Sequence, residues 1–258
     1  MRIFFLAFIS IINVLMLRMA FAADMHVDPH WKYTDQSKWN MLVDRFYSPP
    51  YPYAECGIGQ KQSPINIDPH DLDFTNDLDE LKIEYGKMPL SLTNNGHTIR
   101  LNTSRGYLFI GKNKYQLVQL HFHAPSEHTI DGKHYPIEAH FVNGTDDGRL
   151  AVLGVFFDEG IFNPEFDKIL REAPTSNNVT VTKDDFINLD KLLPNSTQNF
   201  YTYFGSLTTP PCSEGIQWLL LKEAIPISND QIEEFKTKFY RSNARQEQKM
   251  NDRKVDTH

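Results

Sequence analysis

The sequence predicts a mainly β chain with a few short helices, folded as one domain on a mostly antiparallel sheet. Apolar and aromatic runs recur at 81–85, 90–93, 98–101, 107–110, 115–123, 138–143, 150–157, 198–204 and 216–222. They are punctuated by Asn94-Asn95-Gly96, Asp131-Gly132 and Asn143-Gly144, pairs suited to tight hairpin turns. No repeat, low-complexity tract or linker divides the 258 residues, a length that one large core can serve.

Met1-Arg2, an apolar run over 3–17 and Ala20-Phe21-Ala22 have the layout of a secretory leader, with cleavage expected after Ala22. This divides the chain into a leader, 1–22, and a single domain, 23–258. The competing reading is an uncleaved anchor, but the run falls short of the ~20 residues that span a bilayer, and no nearby cysteine can carry a lipid. No stable membrane insertion is therefore expected. Loss of Arg2 and Arg18 makes the chain more acidic than its formal −7, which speaks against nucleic acid and anionic membranes as partners.

Trp31, Tyr33, Trp39, Tyr47, Pro49, Pro50, Tyr51, Pro52 and Tyr53 predict an irregular arm packed on the core. Two cysteines follow, Cys56 and Cys212. An even count in an exported chain suggests one disulfide, the alternative being two separate buried thiols. One helix is expected over 164–172, with Asn163 as cap and proline at its first position; another follows the capping box Ser228-x-x-Gln231 and covers 232–239. Neither carries a reactive group. The polar residues 241–258 are expected to be partly disordered.

The chemistry is concentrated in Gln119-Leu-His-Phe-His-Ala-Pro-Ser-Glu-His128 and Ile137-Glu-Ala-His-Phe-Val142. Strand alternation puts Gln119, His121 and His123 on one face, and Glu138, His140 and Val142 on one face of the second run. With 130–134 read as a turn joining antiparallel neighbours, a third imidazole meets the first two. Three neutral imidazoles on a rigid sheet suit Zn²⁺ and leave its fourth position open, the catalytic arrangement. Gln119 and Glu138, each two residues before a histidine, can fix the ring tautomers. A lone His-x-His is equally an ordinary surface pair; the third histidine in register decides for metal. His128 and His134 read as structural or exposed. Two other stretches are not specific alone: Asn94-Asn-Gly-His97, a histidine beside a tight turn, and Ser206-Leu-Thr-Thr-Pro-Pro211, two hydroxyls beside a rigid diproline.

Together these pieces resemble the α-class carbonic anhydrases over nearly the whole chain from Trp31 to about Arg245. The carrying motifs, in the family's order, are Gln62-Ser-Pro-Ile-Asn66, Asn95-Gly-His97, Gln119-x-His-x-His123, Ser126-Glu-His128, Glu138-x-His140, Leu150-Ala-Val-Leu-Gly154 and Ser206-Leu-Thr-Thr-Pro-Pro211 with Trp218. The resemblance implies a large twisted sheet with zinc at the bottom of a cleft, and reversible hydration of CO₂ to bicarbonate and a proton by a zinc-bound hydroxide. By motif position His121, His123 and His140 are the zinc ligands and His97 the proton shuttle. Thr208 donates to Glu127 and orients the hydroxide, Thr209 lines the cleft, and Val142, Val152, Leu207 and Trp218 form the CO₂ pocket. Cys56 and Cys212 correspond to the disulfide of secreted members, and a carbonyl near Asn243-Ala-Arg245 is expected to hold His123.

Three departures from the animal pattern stand out. Ala124-Pro-Ser126 replaces a longer loop, as in bacterial and plant members; Arg100 stands where many relatives have a neutral amide; and Asn243-Ala-Arg245 lacks an aromatic and a proline. Arg100 is expected to lower the pKa of His97 if its guanidinium lies nearby. The rival readings are a non-catalytic carbonic anhydrase-related binding module, which typically lacks a zinc histidine, and a zinc esterase, against which a narrow apolar pocket argues. The compartment is expected to be the periplasm in a bacterium and the exterior otherwise. Sequons at Asn102, Asn143, Asn178 and Asn195 matter only in a eukaryotic secretory pathway. Oligomeric state is not legible.

Overall fold

A computed structural model describes residues 29–240 and 242–257; the expected leader and its cleavage point lie outside them. Among the described residues one sheet contains thirteen strands, ten of them on a continuous path. From edge to edge these are Val179–Asn188, Lys87–Asn94, Ile99–Asn102, Asn113–His123, Ile137–Gly144, Leu150–Glu159, Glu214–Leu221, Phe200–Ser206, Asp256–Thr257 and Asp73–Phe74. The first six are antiparallel neighbours. Parallel pairing enters where Leu150–Glu159 meets Glu214–Leu221 and where Asp256–Thr257 meets Asp73–Phe74. All nine apolar runs read from the sequence lie in strands of this sheet.

Alternation along the strands sorts side chains into two layers. Ala151, Leu153, Val155 and Phe157 join the larger core, while Val152 and Phe156 join a second cluster on the other face with Val142, Tyr203, Trp218 and Leu220. The helices Pro164–Glu172 and Asn229–Lys238 cover the larger core. Asn163 caps the first by accepting from Glu165 and Phe166 N–H, and Ser228 and Gln231 close a capping box on the second. Phe122, on the back of the histidine strand, packs edge-on against Phe157, Phe166 and Phe235 at 5.7–6.2 Å. Burying such a ring contributes roughly 1.5–3 kcal/mol, so the strand that carries the histidines is anchored from behind.

Register comes from one irregularity. The pairing of Asn113–His123 with Ile137–Gly144 shifts between Val142 and Asn143, skipping Val118, which is left exposed. Leu117 and Leu120 therefore both face the core, and Gln119, His121 and His123 face the opposite side.

Two expectations are corrected. Asp131-Gly132 does not join the two histidine strands directly. Both residues have positive φ, 52° and 69°, and they close a small ribbon between Thr129–Ile130 and Lys133–His134 in a separate three-stranded sheet. The polar tail is ordered in this structure: Asn243, Arg245, Val255 and Thr257 are buried, and Asp256–Thr257 pairs with Phe200–Ser206. Its polar groups find buried partners, which composition alone does not reveal. The edge strand Val179–Asn188, for which the sequence raised no expectation, lacks apolar alternation because nearly all its side chains are exposed; hydroxyl pairs Thr93–Thr180 and Ser91–Thr182 hold it instead. No helix among the described residues is long and apolar enough to cross a membrane.

Candidate metal centre and active site

The antiparallel register places His140 directly opposite His121 and Glu138 opposite His123. The three imidazole centroids are 4.6–5.1 Å apart, and one ring nitrogen from each lies within 4.8 Å of the others. Each remaining nitrogen is engaged. His121 Nδ1 donates to Gln119 Oε1 at 2.8 Å, His123 Nδ1 to the Asn243 carbonyl at 2.8 Å, and His140 Nε2 to Glu138 Oε1 at 2.7 Å. All three acceptors lack a proton of their own, which fixes the tautomers and turns Nε2, Nε2 and Nδ1 toward the common space. Gly154 sits opposite His140 on the next strand, where a Cβ would run into Leu220 and lie 3.3 Å from Glu138 Oε1.

Electrostatics keep these rings neutral. Burial lowers the pKa of His121 well below the ordinary imidazole value, with His123, His140 and Arg100 adding to it; burial and then His140 push His123 down to about 3. Burial opposes ionisation of Glu138, yet His128 and His140 hold its pKa well below the carboxylate range. Its Oε2 accepts the Glu127 and His128 backbone N–H groups, and Oε1 accepts His128 Nδ1–H as well as His140. Since His128 donates from Nδ1, its Nε2 must accept from the Tyr203 hydroxyl at 2.7 Å, and Tyr203 in turn accepts from Ser63 Oγ at 2.7 Å. His128 is thus buried and structural. His134 is exposed and bonds the Ser126 carbonyl.

Among the three rings, His123 Nε2 is buried with no hydrogen-bond partner. An orphaned buried acceptor costs roughly 1–3 kcal/mol, and a metal ion among three neutral imidazoles removes that cost, so the donor set fits a divalent cation of the zinc type.

Around this centre the other predicted residues fall into place to different degrees. Glu127 is fully buried and accepts the Arg245 backbone N–H at 2.8 Å. Burial raises its pKa to about 7, against the pull of His140, the Thr208 hydroxyl and Arg245. Thr208 is close enough to act on this carboxylate, while Oε2 lacks a full hydrogen bond. Val142, Val152 and Trp218 belong to one apolar cluster with half-buried Leu207 against it; Trp218 lies 4.8 Å from His140 and donates to the Ser206 carbonyl. Thr209 lines the cavity over His121 and His123 together with His97, Trp31 and Tyr33.

His97 stands at the rim. The Asn95 side chain accepts the His97 and Thr98 N–H groups, shaping the turn with Gly96 at φ 85°, and the imidazole stacks on Trp31 at 3.7 Å. Burial lowers its pKa, followed by His30 at 5.9 Å. The expected influence of Arg100 on His97 is not found. Arg100 is paired with His121 across the sheet, bonds Asn102 Oδ1 at 3.0 Å and acts on His121 instead.

Cys56 and Cys212 are joined. Beside them lies a frame that sequence reading missed. Arg245 donates to Gln62 Oε1, the Ser63 carbonyl and the Cys56 carbonyl, and Gln62 Nε2 donates to the Cys212 carbonyl. The Gln62-Ser-Pro motif was the only signal in the sequence; the burial of Arg245 is seen only in the structure. Of the sequons, Asn143 is fully buried and bonded to Tyr85, whereas Asn178 and Asn195 are exposed.

Three imidazoles that could hold a metal ion stand on one face of a large mixed sheet. The chain belongs to the eukaryotic-type (α) carbonic anhydrase family, whose family model matches residues 35–258. It is similar to the carbonic anhydrase of Pectobacterium atrosepticum, 38% identical over 243 residues that cover 93% of this chain and 95% of that one. It is 40% identical to a Nostoc carbonic anhydrase over 208 residues, 79% of this chain and 78% of the relative. Among solved structures, the α-carbonic anhydrase of Thermovibrio ammonificans, in complex with the inhibitor sulfanilamide, superposes with a TM-score of 0.83 at 40% identity, covering 89% of this chain and all of that one.

Proposed function

We propose that this chain is an exported zinc enzyme that interconverts carbon dioxide and bicarbonate, with His121 Nε2, His123 Nε2 and His140 Nδ1 holding the metal. The observation that carries the reading is the buried, unpartnered His123 Nε2 beside two further rings whose opposite nitrogens are already committed. Zinc held there lowers the pKa of a coordinated water to about 7, a value for which carbonic anhydrase is itself the reference case, and so supplies a nucleophile at neutral pH.

The protein's own groups do the rest. Gln119, Asn243 and Glu138 hold the three rings in orientation. Glu127 accepts from Arg245 N–H and draws the Thr208 hydroxyl, so that the Thr208 oxygen would be left to accept a hydrogen bond from the O–H of the nucleophile and orient it. Val142, Val152, Leu207 and Trp218 offer CO₂ an apolar wall, which suits a substrate with almost no hydrogen-bonding capacity. Thr209 closes the floor beside them. His97 carries the proton between the cavity and the exterior, its imidazole pKa lowered by burial and by His30. The Cys56–Cys212 bond and the leader-like residues 1–22 support export to an oxidising compartment, the periplasm in a bacterium.

His121→Ala tests the assignment. The variant should retain little zinc by atomic absorption and almost no CO₂ hydration, whereas one zinc per chain with normal turnover would overturn the ligand set.

A further inference from the structure

His97 borders two kinds of space. Inward it lines the cavity of about 100 Å³ that reaches His121, His123 and Thr209. Outward it lines a separate hollow of about 350 Å³, whose walls include His30, Lys32, Tyr33, Asn177, Asn178 and Tyr240. Among the described residues no carboxylate lines this hollow, in a chain whose formal charge is −7. The Lys32 ammonium forms no ion pair with a described residue, and neither ring nitrogen of His97 has a hydrogen-bond partner among them. Tyr33, whose buried hydroxyl has no hydrogen-bond partner among the described residues, lines both the hollow and the inner cavity. Stacking on Trp31 fixes the plane of the His97 ring and leaves its edge free.

These walls present an ammonium, amide N–H groups and two imidazoles, a set that recognises oxyanions through charge-assisted hydrogen bonds. We propose that the hollow is a docking site for a small basic oxyanion, hydrogen phosphate in particular, that receives the proton carried by His97. This rests on the reading of His97 as the proton-transfer residue. The His97 imidazolium N–H bond breaks with its electron pair staying on nitrogen, and an O–H bond forms on the anion. Hydrogen phosphate thereby becomes dihydrogen phosphate. The loss of one negative charge weakens its attraction to Lys32, so the protonated anion leaves more readily than the base arrived, and the site turns over. Bicarbonate shares the oxyanion chemistry but is a poorer base; bound there it would be product in transit, not an acceptor.

The zinc-loaded enzyme is assayed by stopped flow at fixed ionic strength with phosphate as the sole buffer, beside Lys32→Ala, Lys32→Glu and His97→Ala. Lys32 is exposed and outside the catalytic set, so its variants should fold and keep kcat/KM for CO₂. Wild-type turnover should saturate with phosphate. The half-saturating concentration should rise about threefold or more in Lys32→Ala and about tenfold or more in Lys32→Glu, with turnover in imidazole buffer unchanged. If His97→Ala slows buffer-limited turnover while both Lys32 variants track wild type at every phosphate concentration, the docking site is refuted and the shuttle stands. If His97→Ala keeps the wild-type buffer dependence, the shuttle reading fails and takes the docking site with it. Metal-free protein titrated separately with phosphate and bicarbonate, followed through the His30 and His97 ring resonances, separates the two anions. Binding of phosphate, lost in Lys32→Glu, supports the proposal, and binding of bicarbonate alone overturns it.

Discussion

Acidifying the metal-free protein from pH 7.5 to 5.5 should destabilise it by up to about 2 kcal/mol, a figure that follows from which groups the fold keeps neutral. His121, His123 and His128 are buried with lowered pKa values, to about 3 in the case of His123. In the unfolded chain each titrates near 6.5, so below that pH the unfolded state binds protons that the folded state refuses. Their stabilisation is complete above ~6.5 and declines as pH falls, each losing at most about 1.4 kcal/mol by pH 5.5, or about 4 kcal/mol for the three. Glu127 works in the opposite sense. Its folded pKa of about 7 exceeds the unfolded value, so protonation between pH 7 and 5.5 favours the fold by about 2 kcal/mol. Glu138, held low, adds a further loss only below the ordinary carboxylate range. Urea unfolding of chelator-treated protein at pH 7.5, 6.5 and 5.5 measures the balance. A free energy that is flat or rises toward pH 5.5 would show that the folded rings accept protons, contrary to a neutral donor set.

Three further outcomes follow from the same geometry. Thr208→Ala should lower turnover about 10²-fold while leaving zinc bound, since it removes one preorganised hydrogen-bonding group; metal analysis and CO₂-hydration kinetics on one preparation check this. His97→Ala should slow turnover about tenfold at low buffer, recover with added imidazole and barely change kcat/KM, whereas a parallel fall in kcat/KM would make His97 a structural residue. Replacing Cys56 and Cys212 by serine opens a loop of 156 residues and should cost up to about 5 kcal/mol in urea unfolding, and a change below ~1 kcal/mol would contradict the chain-entropy estimate.

The histidine cluster was legible because its parts obey a short-range rule. His121, His123 and His140, with Gln119 and Glu138 two residues upstream, declare their shared faces through strand alternation alone. The groups that complete it lie far away in sequence. Asn243 meets His123 across 120 residues and Arg245 meets Glu127 across 118, and the polar composition around them suggested disorder because no local pattern reveals a distant buried partner. Thr208, Glu127 and the apolar wall were placed by motif resemblance, since a hydroxyl beside a diproline is not distinctive in itself. The Val118 bulge left no sequence signal, although it decides which face Leu117 takes. Arg100 was located correctly on the cleft but assigned to the wrong neighbour: cross-strand register, invisible from one strand, set it opposite His121.

The account stands or falls on metal-dependent chemistry at the three histidines. The direct measurement is CO₂ hydration by the purified mature chain after chelator removal of metal, followed by stepwise addition of zinc. Activity should be near zero at the start and rise linearly to a sharp end point at one zinc per chain. Full activity without metal, or none after one equivalent has bound, would contradict it.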